Sequence, residues 1–117
     1  MKPICLLLLS LAATPLAAAD PEVVEAEARR AGEGWSFAVT LAHPDTGWDH
    51  YADGWRIEDE AGTVLGTRVL AHPHETEQPF TRSLSGVAVP AGTARVYIRA
   101  RCLIDGWSET RLPLELR

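Results

Sequence analysis

The chain has 117 residues, 16 acidic and 11 basic side chains for a formal charge of −5, 46% apolar content and two cysteines, which suffices for one domain around one core. With 8 prolines, 9 glycines and 23% charged residues, the composition argues against collagen, coiled coil and wholesale disorder. The acidic balance also argues against a nucleic-acid partner and against docking on anionic lipid, since both need a basic surface to replace counterions.

The first segment reads as a secretory signal peptide. Met1 and Lys2 give a positive start, Ile4 to Leu9 with Leu11 to Ala13 form an apolar run, and Leu16-Ala17-Ala18-Ala19 ends it with small residues before Asp20. Ser10 and Pro15 interrupt the run, which falls short of the roughly 20 residues of a membrane span. Cys5 lies inside the run, so it reads as an apolar residue of the leader and not as a lipid-attachment site. Cleavage after Ala19 would leave residues 20–117 as a single domain with no membrane anchor, no lysine and Cys102 as its sole cysteine. No internal disulfide can then form, although an exported compartment would permit one.

Glu22 to Arg30 alternates Val24, Ala26 and Ala28 with charged residues and reads as a strand, although Ala, Glu and Arg also favour helix. Trp35, Phe37, Val39 and Leu41 then alternate with small and polar residues in a clear period of two. His43-Pro44-Asp45-Thr46-Gly47 stops that strand. Gly54 to Leu70 reads as a hairpin around Asp59-Glu60-Ala61-Gly62, a type I turn closed by a left-handed glycine that pairs Asp59 with Thr63. Extending this register without a break puts Tyr51, Trp55, Ile57, Leu65, Val69 and Ala71 on the core face. It puts His50, Arg56, Glu58, Arg68 and His72 on the wet face, with His50 opposite His72.

Phe80 to Val89 is a weaker strand with Gly86 as a bulge. Val96, Ile98, Ala100 and Cys102 alternate with Arg95, Tyr97, Arg99 and Arg101 in the plainest strand of the chain, so Cys102 is expected to face the core. Asp105-Gly106 is a turn, and Leu112 to Leu116 forms a last strand that Pro113 places at an edge. About seven short strands and no helix predict an all-β fold, a two-sheet antiparallel sandwich of immunoglobulin or fibronectin type III kind. An OB-type barrel is the alternative.

The histidines supply the leading candidate site. His72 and His74 flank Pro73, which holds the segment extended, so their rings point the same way. With His50 across from His72, three imidazoles can share a Zn²⁺, Cu²⁺ or Ni²⁺ ion, with an oxygen from Asp49, Glu75 or Glu77. The bland reading is three solvated loop residues beside acids. Asp45, Asp49 and Asp53 do not have the alternate spacing or the glycine of a calcium loop. Ser83 and Ser85 form no nucleophile elbow, and no catalytic residue is assigned. Trp48 and Trp107 lie in predicted loops beside acids, where they either cap the core or form a platform for a sugar, a peptide or a cation.

The segments Gly47-Trp48-Asp49-His50-Tyr51-Ala52-Asp53-Gly54-Trp55 and Leu70-Ala71-His72-Pro73-His74-Glu75, continuing through Gln78 to Gly86, resemble a group of short exported bacterial proteins over roughly residues 35–100. The resemblance implies export and an immunoglobulin-like sandwich, and it implies no activity. The expectation is therefore a periplasmic or secreted, non-catalytic binding module, a monomer or weak homo-oligomer whose ligand is a metal ion (Zn or Cu), a small molecule or a protein. A protein- or carbohydrate-binding domain without metal and a metal-dependent hydrolase are the alternatives.

Overall fold

A computed structural model describes residues 20–117; the expected leader, residues 1–19, lies outside them. The described chain is all strand and turn, and no helix in it is long and apolar enough to cross a membrane. The strands are β1 (Glu22–Ala31), β2 (Gly34–Ala42), β3 (Ala52–Glu58), β4 (Val64–Val69), β5 (Phe80–Val87), β6 (Arg95–Cys102), β7 (Gly106–Trp107) and β8 (Leu112–Glu115). Seven of these coincide with the predicted strands, and the two-residue β7 is additional.

They form two antiparallel sheets. One has the order β1-β2-β5, and the other runs β4-β3-β6-β7 with β8 also paired to β6. Alternation dictates which side chains each sheet turns inward. Trp35, Phe37, Val39 and Leu41 of β2 and Phe80 of β5 meet Trp55 and Ile57 of β3 and Val96, Ile98 and Ala100 of β6 in one buried cluster. Pro113 sits on β8, which pairs only with β6, as an edge proline requires.

The hairpin turn forms as expected. Asp59 N donates to Thr63 O at 2.9 Å, Asp59 Oδ1 accepts from Thr63 N at 2.8 Å, and Gly62 takes φ +87. The unbroken register beyond it does not hold. Glu58 pairs with Val64, but Ile57 pairs with Gly66 and Gly54 with Val69, so Leu65 is an extra residue in β4. The cause lies in the other sheet. A Cβ on Gly66 would come within 3.1 Å of Leu84 Cδ2 and 3.3 Å of Val87 Cγ2, so the missing side chain is what lets β5 pack over β4.

The bulge reassigns the faces. Val69 is 71% exposed and Ala71 is exposed, while Leu70 is buried in their stead. A second irregularity between Ala52 and Gly54 of β3 further breaks the parity on which the His50–His72 pairing rested. Glu58, expected on the wet face, is 1% exposed. It points away from the inter-sheet core, but three arginines cover it. Arg56 Nε and Arg99 Nε donate to Oε2, each at 2.7 Å, and Arg111 Nη1 donates to Oε1 at 3.2 Å. Burial acts to raise the Glu58 carboxyl and is the largest single influence. The hydrogen bonds and charges of Arg99 and Arg56 together outweigh it and hold the group at about 2.

Because neighbouring strands run antiparallel, four stretches gather at one end of the domain: residue 20 before β1, the β2–β3 loop (43–51), the β4–β5 loop (70–79) and the β6–β7 turn (103–105). Hydrogen bonds tie them together. His43 N donates to the Gln78 side chain at 3.0 Å, and Leu103 N donates to Tyr51 O at 3.0 Å. Every histidine of the chain lies at this end.

Candidate metal centre

The centre starts from the way β2 stops. His43 follows its last residue, and Pro44 holds His43 extended. The loop then folds back on itself, with Thr46 N donating to His50 O at 3.0 Å and His50 N to Gly47 O at 3.1 Å. Asp45 is pinned inside this fold. Its Oδ1 accepts from His43 Nδ1 at 2.5 Å and from Ala52 N at 2.9 Å, and its Oδ2 accepts from His74 N at 2.8 Å. One buried carboxylate therefore joins the β2–β3 loop to the β4–β5 loop.

The carboxylate also fixes the proton of its histidine. Accepting from His43 Nδ1 requires the proton there, so in the neutral tautomer Nε2 is the acceptor. His43 Nε2 is buried and has no hydrogen-bond partner, and neither has His50 Nε2. The two rings meet edge to face with centroids 4.8 Å apart. The third member comes from β6, where the register sets Ala52 opposite Cys102. One ligand atom each from His43, His50 and Cys102 lies within 4.8 Å of the others.

This differs in composition from the trio expected from sequence. His50 is in it, but its companions are His43 and Cys102. His72 and His74 form a pair of their own with ring centroids 4.6 Å apart, and Asp45 connects that pair to His43. His72 is exposed and its Nδ1 lies 3.1 Å from the Pro73 carbonyl. His74 is buried, stacks on Phe80 at 3.9 Å, and has no partner for either ring nitrogen. Burial first, then the positive charges of Arg82 and His72, hold the His74 imidazole below its ordinary value, against a smaller pull from Asp45 and Glu77.

Cys102 was expected in the core and is fully buried there. The core at this point is bounded by two imidazoles, those of His43 and His50. Of the other acids considered, Glu77 is paired with Arg82 at 3.0 Å and Asp53 with Arg101. Trp48 is 66% exposed and does not cap the core, whereas Trp107 is half-buried with the Arg56 guanidinium 4.0 Å from its ring centre.

Two imidazole nitrogens and one thiol sulfur form a borderline-soft donor set that suits zinc or copper. A carboxylate on the far nitrogen of one imidazole is the usual outer support of a metal-ligating histidine. The same atoms also resemble a cysteine nucleophile with an oriented base. A fully buried sulfur, however, offers a substrate no approach, while an ion needs only a path its own size.

The arrangement defines an all-β chain of two antiparallel sheets with a thiol–imidazole cluster at one end. No family model matches the sequence. A protein of Halomicrobium mukohataei named "Putative lipoprotein" is 46% identical over 76 residues, which are 65% of this chain and 37% of that protein. The chain thus spans little more than a third of the length of that relative. The crystal structure of a hypothetical protein from Pyrococcus horikoshii OT3 superposes with a TM-score of 0.54 at 18% identity, covering 85% of this chain and 93% of the other, which makes the fold a shared one.

Proposed function

We propose that this chain is an exported, non-catalytic module that holds one transition-metal ion on His43, His50 and Cys102, with Asp45 orienting His43. The observation that carries this reading is the gathering of one ligand atom each from His43, His50 and Cys102 within 4.8 Å of one another, with His43 Nε2 and His50 Nε2 both buried and without a hydrogen-bond partner. An unsatisfied buried acceptor costs about 1–3 kcal/mol, so a pair of them beside a thiol is expensive to maintain without a cation. Export is supported by the signal-peptide pattern of residues 1–19 and by the name of the Halomicrobium mukohataei relative. The order β1-β2-β5 facing β4-β3-β6-β7, with β8 also paired to β6, supports an immunoglobulin- or fibronectin type III-like sandwich.

Calorimetry with Zn²⁺ should give one-to-one binding that weakens below pH 6 as the imidazoles protonate. With Co²⁺, a thiolate-to-metal charge-transfer band in the near ultraviolet should appear and be lost in Cys102→Ser. Absence of heat with both Zn²⁺ and Cu²⁺ would end the metal reading. A second reading keeps the ion on His50, His72 and His74, favoured by the close approach of the His72 and His74 rings. It predicts the reverse pattern, with binding lost in His72→Ala/His74→Ala and intact in Cys102→Ser. If neither set binds, the exposed Trp48, with Trp107 as the second ring, is the platform to test with sugars and peptides.

A further inference from the structure

On the metal reading above, the donors of the centre discriminate between zinc and copper. The group holds two imidazoles and one sulfur, and no fourth histidine, cysteine or carboxylate of the described residues joins it. Asp45 lies beside it, but both of its oxygens are engaged, Oδ1 by His43 Nδ1 and Ala52 N and Oδ2 by His74 N. Residues 20–117 contain no methionine, so no thioether enters either. Zn²⁺ with three protein ligands completes its tetrahedron with water or substrate. The side chain of His43 and the whole of Cys102 are fully buried, which shields the ion from water on all but the side of His50. Copper asks for less. A trigonal set of two imidazoles and a thiolate suits it, with any further ligand long and weak, and the same donors bind Cu²⁺ more tightly than Zn²⁺.

The fold also holds these ligands in place. Cys102 ends β6 opposite Ala52, and Ala52 N donates to Asp45. The same carboxylate fixes the His43 ring through Nδ1, while the His50 backbone is tied to Thr46 N and Gly47 O. The three ligand atoms lie within 4.8 Å of one another. A planar trigonal ion with bonds of about 2.0–2.3 Å sets its donors about 3.5–4 Å apart, so a rotation of the half-buried His50 ring closes the set. Ligands anchored in this way move little between Cu⁺ and Cu²⁺, which keeps the cost of transferring an electron low.

We propose that the centre is a copper site that carries one electron. On binding, the Cys102 thiol releases its proton to solvent and the sulfur bonds Cu²⁺ as thiolate. A one-electron donor converts Cu²⁺ to Cu⁺ with the bonds to sulfur and to both imidazoles kept, and a one-electron acceptor reverses the step. No ligand leaves and no proton moves during the exchange.

The test uses the chain from Asp20, whose sequence contains every core residue from Val23 to Leu116, and Cu²⁺ alone as the probe. One equivalent should produce an intense thiolate-to-copper charge-transfer band in the visible. Ascorbate should bleach that band and ferricyanide restore it over repeated cycles, with the protein still monomeric. Cys102→Ser should abolish the band while leaving thermal unfolding of the metal-free protein unchanged. Where that variant does not fold, His50→Ala should lose the band and regain it when imidazole is added to the solution. Failure to bind Cu²⁺, bound Cu²⁺ without the band, bleaching that ferricyanide cannot reverse, or a dimer linked through Cys102 would each overturn the copper proposal. If Zn²⁺ still binds one-to-one and needs Cys102, that result leaves the metal reading standing, whereas loss of both ions defeats both.

Discussion

Glu58 and Asp45 are both buried carboxylates, and their surroundings differ in one respect. Around Glu58 the network closes, because three guanidiniums converge on its two oxygens and Arg99 and Arg111 go on to donate to the carbonyls of Ser108, Glu109, Asp59 and Glu60. Around Asp45 the network also fills both carboxylate oxygens, yet it continues through His43 to a ring nitrogen, Nε2, that is buried without a hydrogen-bond partner. A closed network is a structural device. An open one leaves a buried polar atom unpaired, and the difference is visible only when partners are counted atom by atom.

The comparison can be broken at either end. The largest expected effect is at Glu58. Glu58→Ala leaves three arginines without their shared acceptor and should cost about 3 kcal/mol of stability in urea unfolding, with no change in metal affinity. Acid should show the same group at work. Its folded value near 2 lies below the ordinary 4.5, so its contribution is complete above about 4.5 and is lost as pH falls toward 2. Glu58→Gln should flatten the stability profile across that interval.

At the open network the expected effects concern binding. Cys102→Ser should reduce Zn²⁺ affinity at least 100-fold by calorimetry, because it removes the only sulfur donor. Asp45→Asn should reduce it by about 10- to 100-fold through loss of the support on His43. Asp45→Asn should also loosen the 70–79 loop, measured as faster amide exchange at His74, whose N–H that carboxylate accepts. The smallest effect belongs to His74. Its value is depressed below 6.5, so the unfolded chain takes up the proton first and stability declines as pH falls below about 6.5. In His74→Gln that decline should be shallower.

Much of the fold was legible because seven strands announce themselves by alternation, and Gly62 marks its turn by the conformation the turn demands. The bulge at Leu65 was not legible. Gly66 looks like a defect opposite Ile57 until Leu84 and Val87 are known to occupy the space it vacates, and that contact crosses between sheets. The same kind of long-range fact hid the site. His50 stood out beside the other histidines, but Cys102 enters only once β6 is set against β3, which brings Ala52 opposite it. Counting strand directions would have put the end of β2, the start of β3 and the end of β6 at one pole, and with them His43, His50 and Cys102. Asp45 was read as one of three regularly spaced acids, when its position two residues beyond His43 was the informative feature.

The antiparallel pairing of β8 with β6 has a practical consequence for anyone wishing to watch this protein work. β6 finishes at Cys102 and β8 runs back from it, so Arg117 emerges at the opposite pole, roughly 25 Å off by the rise of eight extended residues. A fluorophore appended there would stand within energy-transfer range of any coloured ion taken up at the histidine end, without touching the loops of that end.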